Sequence, residues 1–322
     1  MIALLAAIVA AGMILPHALR LQRVHQVTAI VLWLSSLALR ALTGALAVVC
    51  LLFFLPRTQL FSAMTHWCLD VAWPFVGSEL QVEGHGLADV ALYLPGIALS
   101  LSLLYMCYRT AQSARQARHL IEHDVLGDGP RESLIVSGTG VVFAVAGLIR
   151  PRIVVSAGAL IWLDDEELDA ALDHERAHIV RRHRFVMLLA VAFAALGRAI
   201  PGTHCAIREL AFQLERDADR WALQQRNDRL ALASVICKTA AAEPIAPPAL
   251  ASLGSTGVRE RLSQLLNEHP AGQARPAATA LNALATAMVI CTLLLAAVVP
   301  TAALAGIGDD AHRTHHPNHC HH

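Results

Sequence analysis

The sequence contains a single lysine, Lys238, and aromatic residues make up only 5% of the chain. Lysine plus arginine equals aspartate plus glutamate at 25 residues each, so the formal net charge is zero, and the arginines are spread rather than massed. A protein that binds nucleic acid directly usually carries a basic run or face. The composition therefore excludes direct binding of DNA or RNA from the expected functions.

The cysteines also lack an informative spacing. No CxxC pair is present, and the positions do not form the pattern of a disulfide framework. We expect them to be buried small apolar residues. The seven are Cys50, Cys68, Cys107, Cys205, Cys237, Cys291 and Cys320.

Apolar residues, by contrast, are abundant. They make up 56% of the chain, against about 45–50% in ordinary soluble domains. No basic segment precedes the first apolar run, which favours a membrane helix over a cleaved signal peptide. If the second run begins near residue 34, Arg40 can extend to one membrane interface. Four runs could cross a bilayer, and all but the short first run approach or exceed the roughly 20 residues that a crossing needs: 2–15, 34–55, 87–107 and 281–304.

The arginines next to these runs predict their orientation. Basic residues favour the cytoplasmic side of a membrane, and they lie between the first two runs, near the start of the second and after the third: Arg20, Arg23, Arg40, Arg109, Arg115 and Arg118. We therefore expect a multi-pass protein of the bacterial plasma membrane. Its predicted parts are a three-helix membrane region (1–108) with an extracellular loop (57–86), a cytoplasmic domain (109–280), a fourth membrane helix (281–306) and an extracellular tail (307–322).

The predicted cytoplasmic domain begins with β-rich pieces. These pieces, at 133–137, 141–146 and 152–156, are separated by glycine and proline, a pattern typical of a small antiparallel sheet. The fold class that we expect is thus a mostly α membrane protein, with about four transmembrane helices and an inserted α+β domain.

Four helices should follow this sheet. Asp164 with Glu167 three residues later is a capping box, so a helix should start there and continue to about Arg182. Further helices are expected at 204–225 and 258–266. The apolar run 185–196 is too short to cross a membrane and predicts a core helix packed against the membrane helices.

The strongest chemical pattern is HExxH, from His174 and Glu175 to His178. Four positions apart on a helix, the two histidines share one face and can bind a single zinc ion, while Glu175 lies beside that face as a base for water. The pattern can also arise by chance on a solvated helix of a histidine-rich chain. Its place inside a predicted helix favours the zinc site.

A catalytic zinc ion needs a third protein ligand and an open position for water. Glu215 is the leading candidate, because it lies on a predicted downstream helix with Asp219 one turn further along the same face. Asp219 is placed to hold a ligand histidine from behind. Glu209 competes as third ligand, although its spacing from Asp219 fits one helix face less well. These roles together predict amide hydrolysis with one catalytic Zn²⁺.

Three stretches resemble the integral-membrane zinc metallopeptidases of the BlaR/MecR family. They are GLIRPRIVVSAGAL, EELDAALDHERAH and ERDAD, the last of the form ExxAD. The HtpX and CAAX-prenyl (Ste24-type) peptidases share HExxH and ExxAD, so these two motifs alone indicate a gluzincin-like membrane protease. The order of three membrane runs before the protease domain, with IVRRHRF directly after HExxH, favours BlaR/MecR.

The resemblance implies roles for individual residues. His174, His178 and Glu215 correspond to the zinc ligands, Glu175 to the general base and Asp219 to an outer support for the ligands.

The resemblance also implies a binding mode and a substrate. A strand at about 142–147 would be a sheet edge to which a substrate adds as an extra strand. The substrate would be a winged-helix transcriptional repressor of the BlaI/MecI type. The sequence departs from the family at two places: His183 stands where relatives often have an acidic residue, and 305–322 stands where the antibiotic receptors carry a large penicillin-binding sensor.

The final stretch, 309–322, reads DDAHRTHHPNHCHH. Imidazole and thiol groups suit Zn, Cu or Ni, so an exposed tail of this kind is a candidate metal-binding segment. The alternative is a disordered polar end with adventitious metal affinity. The candidate ligands are His312, His315, His316, His319, Cys320, His321 and His322.

Three functions follow from these observations. The leading one is a signalling zinc endopeptidase that cuts a cytoplasmic protein. The second is an HtpX-like quality-control protease with broad action on membrane proteins. The third is a non-catalytic membrane receptor or metal-binding scaffold, which the intact HExxH and ExxAD disfavour.

Overall fold

The computed structural model describes residues 2–19, 25–53, 84–147, 150–225, 228–241 and 257–266, with 280, 283, 284, 286–288 and 290. These residues are mostly helical and include one small sheet, so the expected mostly α class is confirmed. The helices are α1 (Ile2–Ala18), α2 (Gln26–Phe53), α3 (Gly84–His123), α4 (Ala157–Trp162), α5 (Asp165–Val180), α6 (His183–Leu196), α7 (Thr203–Gln224), α8 (Arg229–Ala241) and α9 (Val258–Leu266). The strands are β1 (Val125–Asp128), β2 (Leu134–Val136), β3 (Phe143–Ala146) and β4 (Arg152–Ser156).

One helix among the described residues is long and apolar enough to cross a membrane. It is Gln26–Leu52, within α2. The predicted runs 2–15 and 87–107 lie in α1 and α3, so four membrane helices stay a prediction. Most of the run 281–304, nearly all of the loop 57–86 and the whole tail 307–322 lie outside the described residues.

Arg40 is buried in the middle of α2, with a relative exposure of 2%. Its Nη2 donates to the Met13 carbonyl at 2.8 Å and lies 3.0 Å from His17 Nε2, while Nη1 donates to the Ser36 carbonyl at 3.1 Å. The expectation that Arg40 extends to an interface was wrong. Because α2 begins at Gln26 rather than near residue 34, Arg40 lies well inside the helix, where carbonyl groups of neighbouring backbone satisfy its donors.

Helix α2 packs directly against α6 and α7. The prediction that the short apolar segment after HExxH is a core helix is confirmed for α6, which also accepts a hydrogen bond at the Ala195 carbonyl from Ser102 of α3 (3.1 Å). The shared buried cluster contains Ala29, Leu32, Trp33 and Leu37 of α2, Ala190 of α6, and Ala206, Leu210 and Leu214 of α7, with Met288. The long apolar helix is therefore part of the same core as two helices of the predicted catalytic domain.

Helices α2 and α6 approach each other closely at Gly44. A Cβ atom built at Gly44 would lie 2.6 Å from the Leu196 carbonyl oxygen, which is a backbone atom and cannot rotate away. Only glycine fits this contact without moving the two helices apart.

We expect Gly44→Ala to lower the melting temperature of the detergent-solubilised protein. Overpacking costs about 1–3 kcal/mol, which exceeds the gain of up to about 1 kcal/mol from alanine's higher helix propensity. Gly96→Ala is the matched control, since its Cβ would be 3.4 Å from the flexible end of Leu52. Thermal unfolding followed by circular dichroism measures both, and equal melting temperatures would contradict the close contact.

The sheet has the strand order β1-β2-β4-β3. The outer pairs are antiparallel, but β2 pairs with β4 in parallel, so the expectation of an antiparallel sheet was wrong. Short β-rich pieces indicate strands without fixing their direction, and the missed strand β1 contains Gly127 and Asp128, which are poor strand formers. The predicted edge at about 142–147 is confirmed, because β3 pairs only with β4 among the described strands.

Helix α5 begins at the predicted capping box. The Glu167 amide donates to Asp164 Oδ1 at 2.8 Å, and the Asp164 amide donates to Glu167 Oε2 at 3.1 Å. The Glu167 carboxylate also accepts from Lys238 Nζ of α8 at 2.6 Å and from Ser234 Oγ at 2.5 Å. One carboxylate therefore both starts the HExxH helix and joins it to α8.

We expect Glu167→Gln to destabilise the protein at neutral pH but not in acid. Burial raises the pKa of Glu167, but the hydrogen bonds from Lys238 and Ser234 outweigh it and hold the pKa below the ordinary 4.5. The resulting stabilisation is complete above pH 4.5 and is lost as the pH falls through the lowered pKa. A cost of about 1 kcal/mol would lower the melting temperature by about 2–4 °C.

Thermal unfolding of Glu167→Gln at pH 7 and pH 3.5 measures this difference. The exposed Glu166, replaced by Gln, is the control, because it precedes Glu167 in the same helical turn. A difference that persists unchanged in acid would contradict the charged interaction with Lys238.

The four cysteines in the described part of the chain are not buried as expected. Cys50, Cys107, Cys205 and Cys237 are free and exposed, and the other three lie outside the described residues. Cys50 and Cys107 lie in the apolar helices α2 and α3, on faces that no other described helix covers. An apolar residue of a helix that faces lipid need not be enclosed by protein.

Candidate metal centre

The two motif segments meet in space although about 40 residues separate them. Helix α5 presents His174 and His178, and helix α7 presents Glu215 opposite them. The Nε2 atoms of the histidines are 3.3 Å apart. Glu215 Oε2 lies 3.4 Å from His174 Nε2, and Glu215 Oε1 lies 3.6 Å from His178 Nε2. These three residues are the group among the described residues whose ligand atoms could hold one metal ion.

The spacing of these atoms fits zinc. Ligand atoms held about 2.1 Å from a tetrahedral zinc ion stand about 3.4 Å from one another, close to the three observed separations. Two imidazole nitrogens and one carboxylate oxygen also form a common donor set for catalytic zinc, with a fourth position left for water. The residues present therefore fit the metal predicted from the sequence.

A polar side chain lies close to the other ring nitrogen of each ligand histidine. His174 Nδ1 lies 3.0 Å from Asp219 Oδ1, which is the supporting contact expected from the sequence. His178 Nδ1 lies 3.1 Å from His183 Nδ1, and His183 Nε2 lies 3.2 Å from Asp217 Oδ2. These partners leave the two Nε2 atoms facing the centre of the group.

A buried arginine from a third helix holds the acidic residues. Arg261 of α9 donates from Nη1 to Glu215 Oε2 at 2.9 Å, and from Nε and Nη2 to the two oxygens of Asp219 at 2.7 and 2.6 Å. Gly257 precedes this helix with φ +68°, and a Cβ there would lie 2.5 Å from the ring of Phe212. The close approach of Gly257 to α7 thus brings Arg261 to the metal centre.

Burial and charge set the protonation of this group. Burial raises the pKa of Glu215, but its hydrogen bond with His174 and the charge of Arg261 bring it well below its ordinary value. Burial lowers the pKa of His174, but its contacts with Asp219 and Glu215 outweigh burial and raise it to about 10. Burial lowers the pKa of His178 to about 3. A metal ion that binds at neutral pH would therefore displace a proton from His174.

Glu175 lies beside the metal-facing histidines on α5. Burial raises its pKa to about 7, a value at which a carboxylate can both accept and return a proton near neutral pH. The charge of Arg184 acts on Glu175, and the Arg184 guanidinium donates a hydrogen bond to the Gly147 carbonyl at the end of β3. Arg184 therefore connects the neighbourhood of Glu175 to the sheet edge.

The structure brings together all of the predicted site residues, whereas the competing Glu209 is not part of the metal-binding group. The sequence reasoning missed Arg261, Asp217 and Arg184. A signal for Arg261 was present, because two acidic residues on one buried helix face require a nearby cation, and the helix at 258–266 was already predicted.

The family model of the BlaR1 peptidase M56 matches residues 130–265. The match includes HExxH, Glu215, Asp219 and Arg261. No curated protein and no solved structure matches the chain.

Proposed function

We propose that the chain is a membrane-embedded, zinc-dependent endopeptidase that cleaves a cytoplasmic protein, since the family model of the BlaR1 peptidase M56 matches residues 130–265. The observation that carries this proposal is the convergence of His174, His178 and Glu215 beside Glu175. A carboxylate next to a three-ligand zinc centre is the arrangement that hydrolyses peptide bonds.

The three ligands and Glu175 would have different roles in hydrolysis. His174, His178 and Glu215 would hold the zinc ion, which when bound would supply a Lewis acid for the scissile carbonyl and for water. Glu175 accepts a proton from the attacking water and returns it to the nitrogen of the departing amine.

The buried ion pairs keep these ligands in place. Asp219 orients His174 through Nδ1, and Arg261 fixes the carboxylates of Glu215 and Asp219 in one arrangement. Buried carboxylates that lack a cation would repel one another and reorient.

The open edge of β3 supports binding of the substrate as an added strand. Main-chain groups on such an edge have no partner in their own sheet and can pair with an extended peptide. Strand β3 packs beside α5, which carries HExxH. A peptide added to β3 would therefore run past Glu175.

We also propose an orientation of the protein relative to the membrane. Helix α2 would cross the plasma membrane, and 109–280 would face the cytoplasm, as the flanking arginines favour. The substrate would be a winged-helix repressor of the BlaI/MecI type, whose cleavage would convert a membrane event into a change in transcription.

Quantitative N-terminal proteomics of cells that express the wild type or Glu175→Gln tests this proposal. A signalling protease predicts new N-termini, in the wild type only, in one or a few soluble DNA-binding proteins. New termini in many membrane proteins would favour the quality-control function, and identical termini in both cell lines would favour the scaffold.

A further inference from the structure

The two ligand histidines are supported differently. The outer nitrogen of His174 faces a carboxylate, Asp219, at 3.0 Å. The outer nitrogen of His178 faces another imidazole, His183, at 3.1 Å, and the carboxylate of Asp217 lies behind His183 at 3.2 Å. His174 thus has one residue behind it, Asp219, whereas His178 has two in series, His183 and then Asp217.

The backbone between α5 and α6 places His183 at this position. Helix α5 ends at Val180, and Arg182 adopts a left-handed conformation with φ 55° and ψ 34° before α6 begins at His183. This conformation is uncommon for a residue other than glycine. The turn brings His183 back beside His178, where it has a relative exposure of only 5%.

The hydrogen-bond roles of the three side chains are fixed once His178 uses Nε2 as a ligand. A neutral imidazole with Nε2 as ligand carries its proton on Nδ1. His178 Nδ1–H then donates to His183 Nδ1, and His183 Nε2–H donates to Asp217. Asp217 is itself 4% exposed and lies 3.6 Å from Arg181 Nε. Each ring nitrogen of His178 and His183 therefore has one defined role in this series.

We propose that His183 and Asp217 are positioning residues that orient His178 as a metal ligand. His183 connects the two by accepting a hydrogen bond from His178 and donating one to the Asp217 carboxylate. This proposal rests on the zinc site of the proposed function. It requires no charge on His183.

A matched pair of substitutions tests the proposal. His183→Leu keeps a side chain of moderate size but removes both hydrogen bonds. His183→Gln can restore them, because its amide oxygen can accept from His178 and its amide nitrogen can donate to Asp217. The exposed His204 on α7, replaced by Leu, is the control for loss of a histidine elsewhere.

Zinc affinity of the full-length protein in detergent is measured by competition with a chromophoric chelator, and the visible spectrum is recorded with Co²⁺. Loss of an outer partner typically weakens metal binding about 10–100-fold. We expect that loss and an altered Co²⁺ spectrum for His183→Leu, wild-type values for His204→Leu, and recovery to within about threefold of wild type for His183→Gln.

The outcomes separate this inference from the proposed function. If the wild type binds zinc and His183→Leu binds it equally tightly with an unchanged Co²⁺ spectrum, the inference is overturned and the zinc site remains. If the wild type itself binds no zinc, the proposed function fails first. Should His183→Leu not fold, Asp217→Asn replaces it, and unchanged zinc affinity and Co²⁺ spectrum in that variant would overturn the inference as well.

Discussion

Replacing Glu175 by Gln is expected to reduce peptide cleavage by about 10²–10⁴-fold, the usual contribution of a general base. Gln has nearly the same shape but cannot accept the proton of the attacking water. Because the proposed ligands are His174, His178 and Glu215, the metal content should not change. The measurements are cleavage of a fluorescence-quenched peptide library and zinc per chain by elemental analysis.

Glu166→Gln is the control for this experiment. Glu166 lies on the same helix as Glu175, but it is exposed in the first turn, far along the helix from HExxH. It should cleave at the wild-type rate. Wild-type cleavage by Glu175→Gln would exclude Glu175 as the base, and loss of zinc from that variant would mean that Glu175 is a ligand.

Replacing Glu215 by Gln is expected to weaken zinc binding by more than about 100-fold, since loss of an outer partner alone costs 10–100-fold. A neutral amide cannot replace the carboxylate that completes the donor set with His174 and His178. The same change removes one anion from Arg261, which is only 4% exposed. Loss of one partner from a buried ion pair costs about 3–5 kcal/mol when no other partner remains, and Asp219 reduces this cost.

The matched control is Glu209→Gln on the same helix, six positions earlier. Glu209 was the competing third ligand by sequence, and we expect its replacement to leave both zinc content and cleavage unchanged. Chelator competition and elemental analysis compare the two variants directly. The reverse pattern, with zinc lost only from Glu209→Gln, would contradict the site that α5 and α7 form.

Local sequence patterns predicted the parts of the site that depend on one helix. The capping box of Asp164 and Glu167 fixed the start of α5, and helical periodicity then placed His174 and His178 on one face. The same periodicity placed Glu215 and Asp219 together on α7. These relations depend only on spacing along a regular helix, so they can be derived before the fold is known.

Contacts between distant segments could not be derived in this way. The pairing of Arg261 with Glu215 and Asp219 joins residues more than 40 positions apart, and no local pattern specifies which cation meets which anion. The parallel pairing of β2 with β4 could not be derived either. It depends on β3 lying at the edge of the sheet rather than between the two strands. His183 was recognised as unusual, but its contact with Asp217 depends on the turn at Arg182.

Hydropathy misplaced Arg40 for a related reason. A hydropathy profile compares each residue with lipid and water, and it contains no term for a neighbouring helix. The Arg40 guanidinium donates its hydrogen bonds to the carbonyl oxygens of Met13 and Ser36, whereas the hydropathy profile had predicted that it would reach a membrane interface. A charged residue can therefore lie deep in an apolar helix when another segment of the chain packs beside it.

The close approach of Gly44 to the Leu196 carbonyl leaves no room for a side chain between α2 and α6. The same α2 contributes to the apolar cluster shared with α6 and α7. Helix α6 begins at His183, and α7 carries Glu215. The helix that is long and apolar enough to cross a membrane, among the described residues, therefore packs directly on two helices that carry residues of the candidate metal centre.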